Sequence, residues 1–97
     1  MVDIRKINGK TIWLETGSPT AGLRHIVGEH GPEFAQRGIS ELDISNVVFS
    51  ALQRNNIVGY QGRGAGRPIY EFDYRGQTYR LANTVGDNGF IVGANFR

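Results

Sequence analysis

Apolar and polar residues alternate on both sides of Asn8-Gly9, and this pattern predicts a β-hairpin at the start of the chain. Ile4 and Ile7 precede the dipeptide, and the run 11–15 follows it. Asn-Gly favours a two-residue type I′ turn because both residues tolerate positive φ. The segment 17–19, Gly-Ser-Pro, interrupts the pattern, so we expect the second strand to end there.

A helical repeat of apolar residues predicts a first helix over 21–30. The residues with this spacing are Leu23, Ile26 and Val27. Ser18 or Thr20 is suited to cap the start of the helix, and Gly31-Pro32 is expected to end it. The helix should therefore be short, with one face toward the core.

A second and stronger helical pattern follows Ser40-Glu41-Leu42-Asp43, which offers a capping residue and early acidic residues. The apolar stripe consists of Ile44, Val47, Val48, Ala51 and Leu52. This spacing is typical of an amphipathic helix with one buried face. Asn55-Asn56 is expected to end it.

The remainder of the chain predicts four strands, over 57–61, 69–74, 77–85 and 90–96. Short turns and one glycine-rich loop connect them, as in an antiparallel meander. The element order predicts an α+β fold: an N-terminal hairpin and two helices packed on a curved antiparallel sheet of about four strands. At 97 residues the chain has the size of one domain, 1–97.

Composition narrows the possible chemistry. The chain has no cysteine, which excludes disulfides, thiolate metal sites and cysteine nucleophiles. No apolar run is long enough to span a membrane, so this domain should not insert into one by itself. Met1 is followed by Val2-Asp3-Ile4-Arg5, without the apolar stretch of a secretion signal, so any export signal is expected elsewhere on a larger chain.

The two histidines, His25 and His30, are the first candidates for catalysis. Both lie on the predicted first helix, about 140° apart around its axis. Zinc-binding histidine pairs on helices usually have i, i+4 spacing, so this spacing disfavours a metal site. Imidazole is well suited to proton transfer near neutral pH. The alternative is a structural role, as a helix C-cap at His30 or as a partly buried ring.

Arginine dominates the charge of the second half, where six arginines face three acidic residues. The loop 62–68, Gly-Arg-Gly-Ala-Gly-Arg-Pro, combines two arginines with glycines that allow an anion to approach the backbone. It lacks the Gly-Lys-Ser/Thr ending of a P-loop. We therefore expect Arg67 to contact phosphate, although a flexible connection would explain the glycines equally well.

The predicted sheet also carries polar aromatic and amide side chains. Its four tyrosines are Tyr60, Tyr70, Tyr74 and Tyr79. Tyrosine on a sheet stacks on bases or donates a proton, but it also commonly packs with its hydroxyl in water. Thr84 and Asn95 fall on adjacent strands, where they could polarise one shared oxygen. Ordinary strand chemistry is the alternative for both.

Three segments, in this order and spacing, carry a resemblance to a known family. They are 22–30 (Gly-Leu-Arg-His-Ile-Val-Gly-Glu-His), 66–70 (Gly-Arg-Pro-Ile-Tyr) and 88–95 (Asn-Gly-Phe-Ile-Val-Gly-Ala-Asn). Over about residues 20–97 the chain resembles the C-terminal nuclease domains of bacterial polymorphic toxins. These include contact-dependent growth-inhibition toxins of the barnase/EndoU/colicin/RelE-like superfamily.

The resemblance implies metal-independent cleavage of RNA, usually tRNA, by attack of a ribose 2′-hydroxyl on the adjacent phosphate to give a 2′,3′-cyclic phosphate. His25 matches the helix histidine of the family, and Arg67 matches a basic residue that stabilises the phosphorane. Tyr70, Thr84 and Asn95 match cleft positions. The family pattern ends in Arg-His where this chain has Glu29-His30.

The resemblance also implies partners and a location. We expect an RNA substrate, a cognate immunity protein that closes the cleft, and delivery of a secreted effector domain into the cytoplasm of a target cell. No cofactor and no metal ion are expected. RNA contacts are predicted for Arg63, Arg75, Arg80 and Tyr60.

Two other classes of function remain open. A non-catalytic RNA-binding module would use the same arginines and tyrosines, and a protein-interaction domain would use the histidines only for packing. A metal-dependent nuclease is the weakest candidate, because the aspartates are scattered and form no ligand cluster. They are Asp3, Asp43, Asp73 and Asp87.

Overall fold

The structure, a computed structural model, describes residues 3–17, 21–62, 67–86 and 88–97. The elements in chain order are β1 (Asp3–Ile7), β2 (Lys10–Leu14), α1 (Leu23–Gln36), a 3₁₀ turn (Glu41–Asp43), α2 (Ile44–Arg54), β3 (Ile57–Gln61), β4 (Arg67–Tyr74), β5 (Gln77–Val85) and β6 (Ile91–Phe96). β1 and β2 form one antiparallel sheet, and β3 to β6 form a second in the order β3-β4-β5-β6. The predicted α+β class, with two helices and a four-stranded antiparallel sheet, is confirmed.

The N-terminal hairpin forms at the predicted turn. Asn8 and Gly9 have φ of 51° and 82°, and the strands pair from Ile7↔Lys10 to Asp3↔Leu14. Positive φ at both central residues is what a type I′ turn requires.

Helix α1 is longer than predicted. It continues through Pro32 to Gln36, so the prediction that Gly31-Pro32 ends it is wrong. Proline in a helix interior removes one hydrogen bond and is costly. Phe34, two residues after Pro32, is fully buried, and burial of a phenylalanine side chain contributes about 1.5–3 kcal/mol toward continuing the helix.

The start of α1 is held by the backbone. The N–H groups of Leu23 and Arg24 donate to the carbonyls of Glu15 and Thr16, both at 2.9 Å. These bonds satisfy donors that a helix N-terminus leaves unpaired. The predicted capping residues Ser18 and Thr20 lie outside the described residues.

Helix α2 follows the prediction closely. All five residues of the predicted stripe are buried, and Phe49 joins them. Asn55 ends the helix with φ of 54° in the left-handed region, as asparagine often does at this position. Ser40 makes no side-chain capping bond to the 3₁₀ turn that follows it.

Strand register divides the four-stranded sheet into two faces, because paired residues point to the same side and successive residues alternate. The helix-side face, packed against α2, carries Tyr70, Phe72, Leu81, Ala94 and Phe96. The opposite face, which we call the open face because α2 does not cover it, carries Arg67, Glu71, Arg80, Ala82, Thr84, Gly93 and Asn95. Its part near β6 is buried, since Ala82 is 0% and Asn95 6% exposed. The helix-side face also holds the buried amide of Asn83, which has no hydrogen-bond partner among the described residues; nothing in the structure explains it.

The outer edge of β6 is covered by segments that precede it in the chain. Gly89 and Val92 accept backbone hydrogen bonds from Trp13 at 3.0 Å and Gly22 at 2.9 Å. The Phe96 N–H donates to Glu33 Oε1 at 3.2 Å. An unpaired strand edge is a template for unwanted pairing, and these contacts remove it here.

Helix α1 lies along this edge rather than across one face of the sheet. Phe34 contacts Phe96 on the helix-side face, with ring centroids 4.7 Å apart. His25 lies against Gly93, which faces the open side. Both helices pack on the sheet, as predicted, but in different ways. Helix α2 covers one face, whereas α1 covers the outer edge formed by β6. As a result, α1 reaches the open face.

No helix within the described residues is both long and apolar enough to cross a bilayer.

Candidate functional site

A chain of hydrogen bonds crosses three strands on the open face. Arg67 Nη1 on β4 donates to Asn95 Oδ1 on β6 at 3.2 Å. Asn95 Nδ2 donates to Gln61 Oε1 on β3 at 2.9 Å. Asn95 is only 6% exposed, so its amide is fixed on both sides. These bonds hold the half-buried Arg67 guanidinium at the open face.

His25 approaches the same face from α1. A Cβ built on Gly93 would lie 3.3 Å from His25 Cδ2, so the imidazole packs directly on the backbone of β6. Gly93 and Asn95 point to the same side, two residues apart, which places them about 7 Å from each other along the strand. The imidazole and the Arg67–Asn95 pair therefore belong to one site.

Thr84 completes this arrangement from β5. It pairs with Gly93 in the strand register and points to the open face. Its hydroxyl oxygen is buried and has no hydrogen-bond partner among the described residues. A buried hydroxyl without a partner costs about 1–3 kcal/mol, so a water molecule or another polar group that reached it would stabilise it.

We call these five side chains the polar cluster: His25, Gln61, Arg67, Thr84 and Asn95. They come from α1, β3, β4, β5 and β6. Four of the six predicted catalytic residues therefore meet on one face of the sheet.

Two arginines on the open face, Arg80 and Arg67, have different partners. Arg80 Nε lies 3.0 Å from Glu71 Oε2 across the β4–β5 pair. Arg67 makes no ion pair with any residue in the described part of the chain, and its partner is the neutral amide of Asn95. Among the described residues, no carboxylate therefore compensates its positive charge.

His30 lies next to the polar cluster rather than within it. Its Nδ1 is 2.6 Å from Glu33 Oε2, and its ring is edge-on to that of His25 with centroids 6.4 Å apart. The side chain of His30 is 24% exposed. The predicted 140° separation around the helix therefore still leaves the two rings as neighbours.

Tyr70 is not brought to the cluster. It lies on the helix-side face together with Tyr60. Burial raises the pKa of the Tyr70 hydroxyl, and the nearby Tyr60 hydroxyl raises it further. Tyr70 therefore remains protonated well above neutral pH and separated by the sheet from His25.

The predicted RNA-contacting residues are spread over the molecule. Arg80 is on the open face, paired with Glu71. Arg75, at the β4–β5 turn, pairs with Asp43 at 3.0 Å. Tyr60 is 54% exposed on the helix-side face, and Arg63 lies outside the described residues.

Three residues of this region were not predicted from the sequence as part of the site: Gln61, Gly93 and Glu33. Gln61 pairs with Arg67 in register, and its position just before the glycine-rich loop was a usable signal. Gly93 and Glu33 act through contacts between α1 and β6, which no local pattern shows.

The site offers three kinds of chemistry. An imidazole can transfer a proton, a guanidinium can bind an anion, and an amide and a hydroxyl can bind oxygen atoms. No three histidine or acidic side chains in the described parts of the chain are grouped as metal ligands.

The chain matches no model of a known protein family, and no curated protein matches it significantly.

Proposed function

We propose that this protein is a metal-independent endoribonuclease and that the polar cluster is its active site. The observation that carries this proposal is the meeting of His25 with Arg67, Thr84 and Asn95 on one open face. The resemblance to polymorphic-toxin nucleases selected these residues from the sequence. Their convergence from four separate elements supports that selection.

Arg67 is proposed to bind the scissile phosphate. Its guanidinium is held by the neutral Asn95 amide and makes no ion pair with the described residues, so it is suited to bind an anion. Bidentate contact between arginine and phosphate is strong and directional. As negative charge builds on the phosphorane oxygens, a fixed guanidinium stabilises the transition state more than the ground state.

His25 is proposed to transfer a proton during cleavage. In the reaction the ribose 2′-oxygen loses its proton and bonds to phosphorus, and the 5′-oxygen leaves with a proton. The products are a 2′,3′-cyclic phosphate and a 5′-hydroxyl. A neutral His25 imidazole at the same face as Arg67 is suited to remove the first proton. The neighbouring His30 ring, starting as the imidazolium, is suited to supply the second from Nε2.

Thr84 and Asn95 are proposed to orient the reacting groups. The buried Thr84 hydroxyl would donate a hydrogen bond to a substrate oxygen that reaches it. Asn95 keeps Arg67 in place through the 3.2 Å bond. We further propose that tRNA is the substrate, that an immunity protein closes the site, and that the domain acts in the cytoplasm of a target bacterium.

The test is incubation of purified protein with total tRNA in EDTA. We expect fragments that carry a 2′,3′-cyclic phosphate, and substitution His25→Ala should slow cleavage by about 10²–10⁴-fold. Arg24→Ala, the adjacent exposed residue on α1, is the matched control and should cleave normally.

Other results identify the alternatives. Salt-dependent RNA binding without cleavage would indicate a non-catalytic RNA-binding module. Neither binding nor cleavage by the folded protein would indicate a protein-interaction domain.

A further inference from the structure

Glu33 occupies a position between the second histidine and the end of β6. One carboxylate oxygen, Oε2, lies 2.6 Å from His30 Nδ1. The other, Oε1, accepts a hydrogen bond from the Phe96 N–H at 3.2 Å. The carboxylate is therefore anchored to the sheet at one oxygen and holds the imidazole with the other.

With Glu33 ionised, this contact would determine which nitrogen of His30 carries a proton. An ionised carboxylate only accepts hydrogen bonds, so His30 Nδ1 must be the donor. The distance of 2.6 Å is short, as charge-assisted hydrogen bonds are. Nε2, on the other side of the ring, is then the nitrogen that can exchange a proton.

The helix backbone adds to the fixed geometry. Arg37 Nη1 donates to the Glu33 carbonyl at 2.8 Å, and the Arg37 guanidinium stacks 4.3 Å from the centroid of the Phe96 ring. The last turn of α1 and the last strand are thus joined at several points around Glu33.

We propose that Glu33 is a positioning residue that sets the tautomer and orientation of His30 beside His25. This inference rests on the proposed function, in which the two imidazoles transfer protons at one site. The 6.4 Å separation of their rings places His30 next to the imidazole on the open face. Glu33 itself has no place in the polar cluster and would not touch the substrate.

Substitution Glu33→Gln tests the proposal through the tautomer. An amide has one acceptor oxygen, and the Phe96 N–H requires it. The amide NH₂ then faces His30 Nδ1, which must become an acceptor, so the proton moves to Nε2. Two-bond ¹H–¹⁵N correlation spectra should show His30 protonated at Nδ1 in the wild type and at Nε2 only in Glu33→Gln.

The same variant should show a specific kinetic change. We expect kcat for RNA cleavage to fall by about 10- to 100-fold, because a misoriented imidazole loses much of its acid–base contribution. KM should remain unchanged, since Glu33 makes no substrate contact. Glu29→Gln removes an exposed glutamate of the same helix and is the matched control for charge; it should alter neither the tautomer nor kcat.

Several outcomes would overturn the inference. A wild-type His30 that carries its proton on Nε2 with Nδ1 bare contradicts it directly, even if Glu33→Gln does not fold. If Glu33→Gln inverts the tautomer of His30 but leaves kcat unchanged, then the positioning of His30 by Glu33 does not contribute to catalysis. Absence of RNA cleavage by the wild type sinks the proposed function, and with it that catalytic part, whereas the spectra still report separately on the Glu33–His30 bond.

Discussion

Two arginines on the open face, Arg67 and Arg80, differ in the charge of the side chain that each one contacts. Arg80 lies 3.0 Å from the Glu71 carboxylate, and an exposed pair of this kind is nearly neutral toward a third charge. Arg67 lies 3.2 Å from an uncharged amide. A count of arginines treats the two alike, but the partner of each decides which one is available to a phosphate.

Removal of each arginine in turn tests whether Arg67 and Arg80 differ in their contribution to cleavage. Arg67→Ala should lower kcat/KM for RNA cleavage by about 100-fold or more, as the loss of a transition-state donor does. Arg80→Ala should lower it by less than about threefold, because an exposed ion pair contributes little. Initial rates on one RNA at fixed salt give both values, and equal losses would contradict the distinction.

We expect a smaller loss of activity from a substitution at Gly93 that crowds the His25 imidazole. In Gly93→Ala the new Cβ would lie 3.3 Å from His25 Cδ2, so the ring must shift by a few tenths of an ångström. We expect about a tenfold loss of kcat, since misplacement by 1 Å costs about 100-fold.

The control for this substitution is Gly28→Ala. A Cβ at Gly28 meets nothing within 4 Å, so cleavage should be unchanged, and thermal melting should show a helix stabilised by up to about 1 kcal/mol. Wild-type rates in Gly93→Ala would mean that His25 does not act at this face.

We expect the smallest change, in RNA affinity, when Arg80 loses its ion pair with Glu71. Glu71→Gln removes its carboxylate partner, and RNA affinity should rise a few-fold at low salt, with a salt dependence steeper by about one charge. Binding is measured in a His25→Ala background so that the RNA stays intact. Glu41→Gln, on the 3₁₀ turn, is the matched control, and an identical response from it would show a general charge effect instead.

Elements whose structure depends on neighbouring residues in the chain could be predicted from the sequence. The Asn8-Gly9 turn depends on local φ preferences, and the strands on either side of residues 75–76 depend on alternation; the turn and these strands were predicted. The end of α1 was not, because the burial of Phe34 against Phe96 outweighs the local signal of Pro32.

The same distinction applies to the candidate site: some of its residues could be predicted from the local sequence and others could not. Thr84 and Asn95 were expected on adjacent strands, and they are, on a common face. The placement of Tyr70 on the opposite face depends on strand register, which composition and motif order do not contain. Glu33 was invisible for a similar reason, since its partner Phe96 lies 63 positions away.

The position of α1 along the edge of β6 has a consequence for cooperativity. The meander contributes Arg67, Thr84 and Asn95, while α1 contributes His25. Proteins open locally in units that need not involve the whole molecule. Detachment of α1 from β6 would dismantle the site and leave the hydrogen-bond ladders of the meander intact, so activity would be lost at a lower free energy than global unfolding requires.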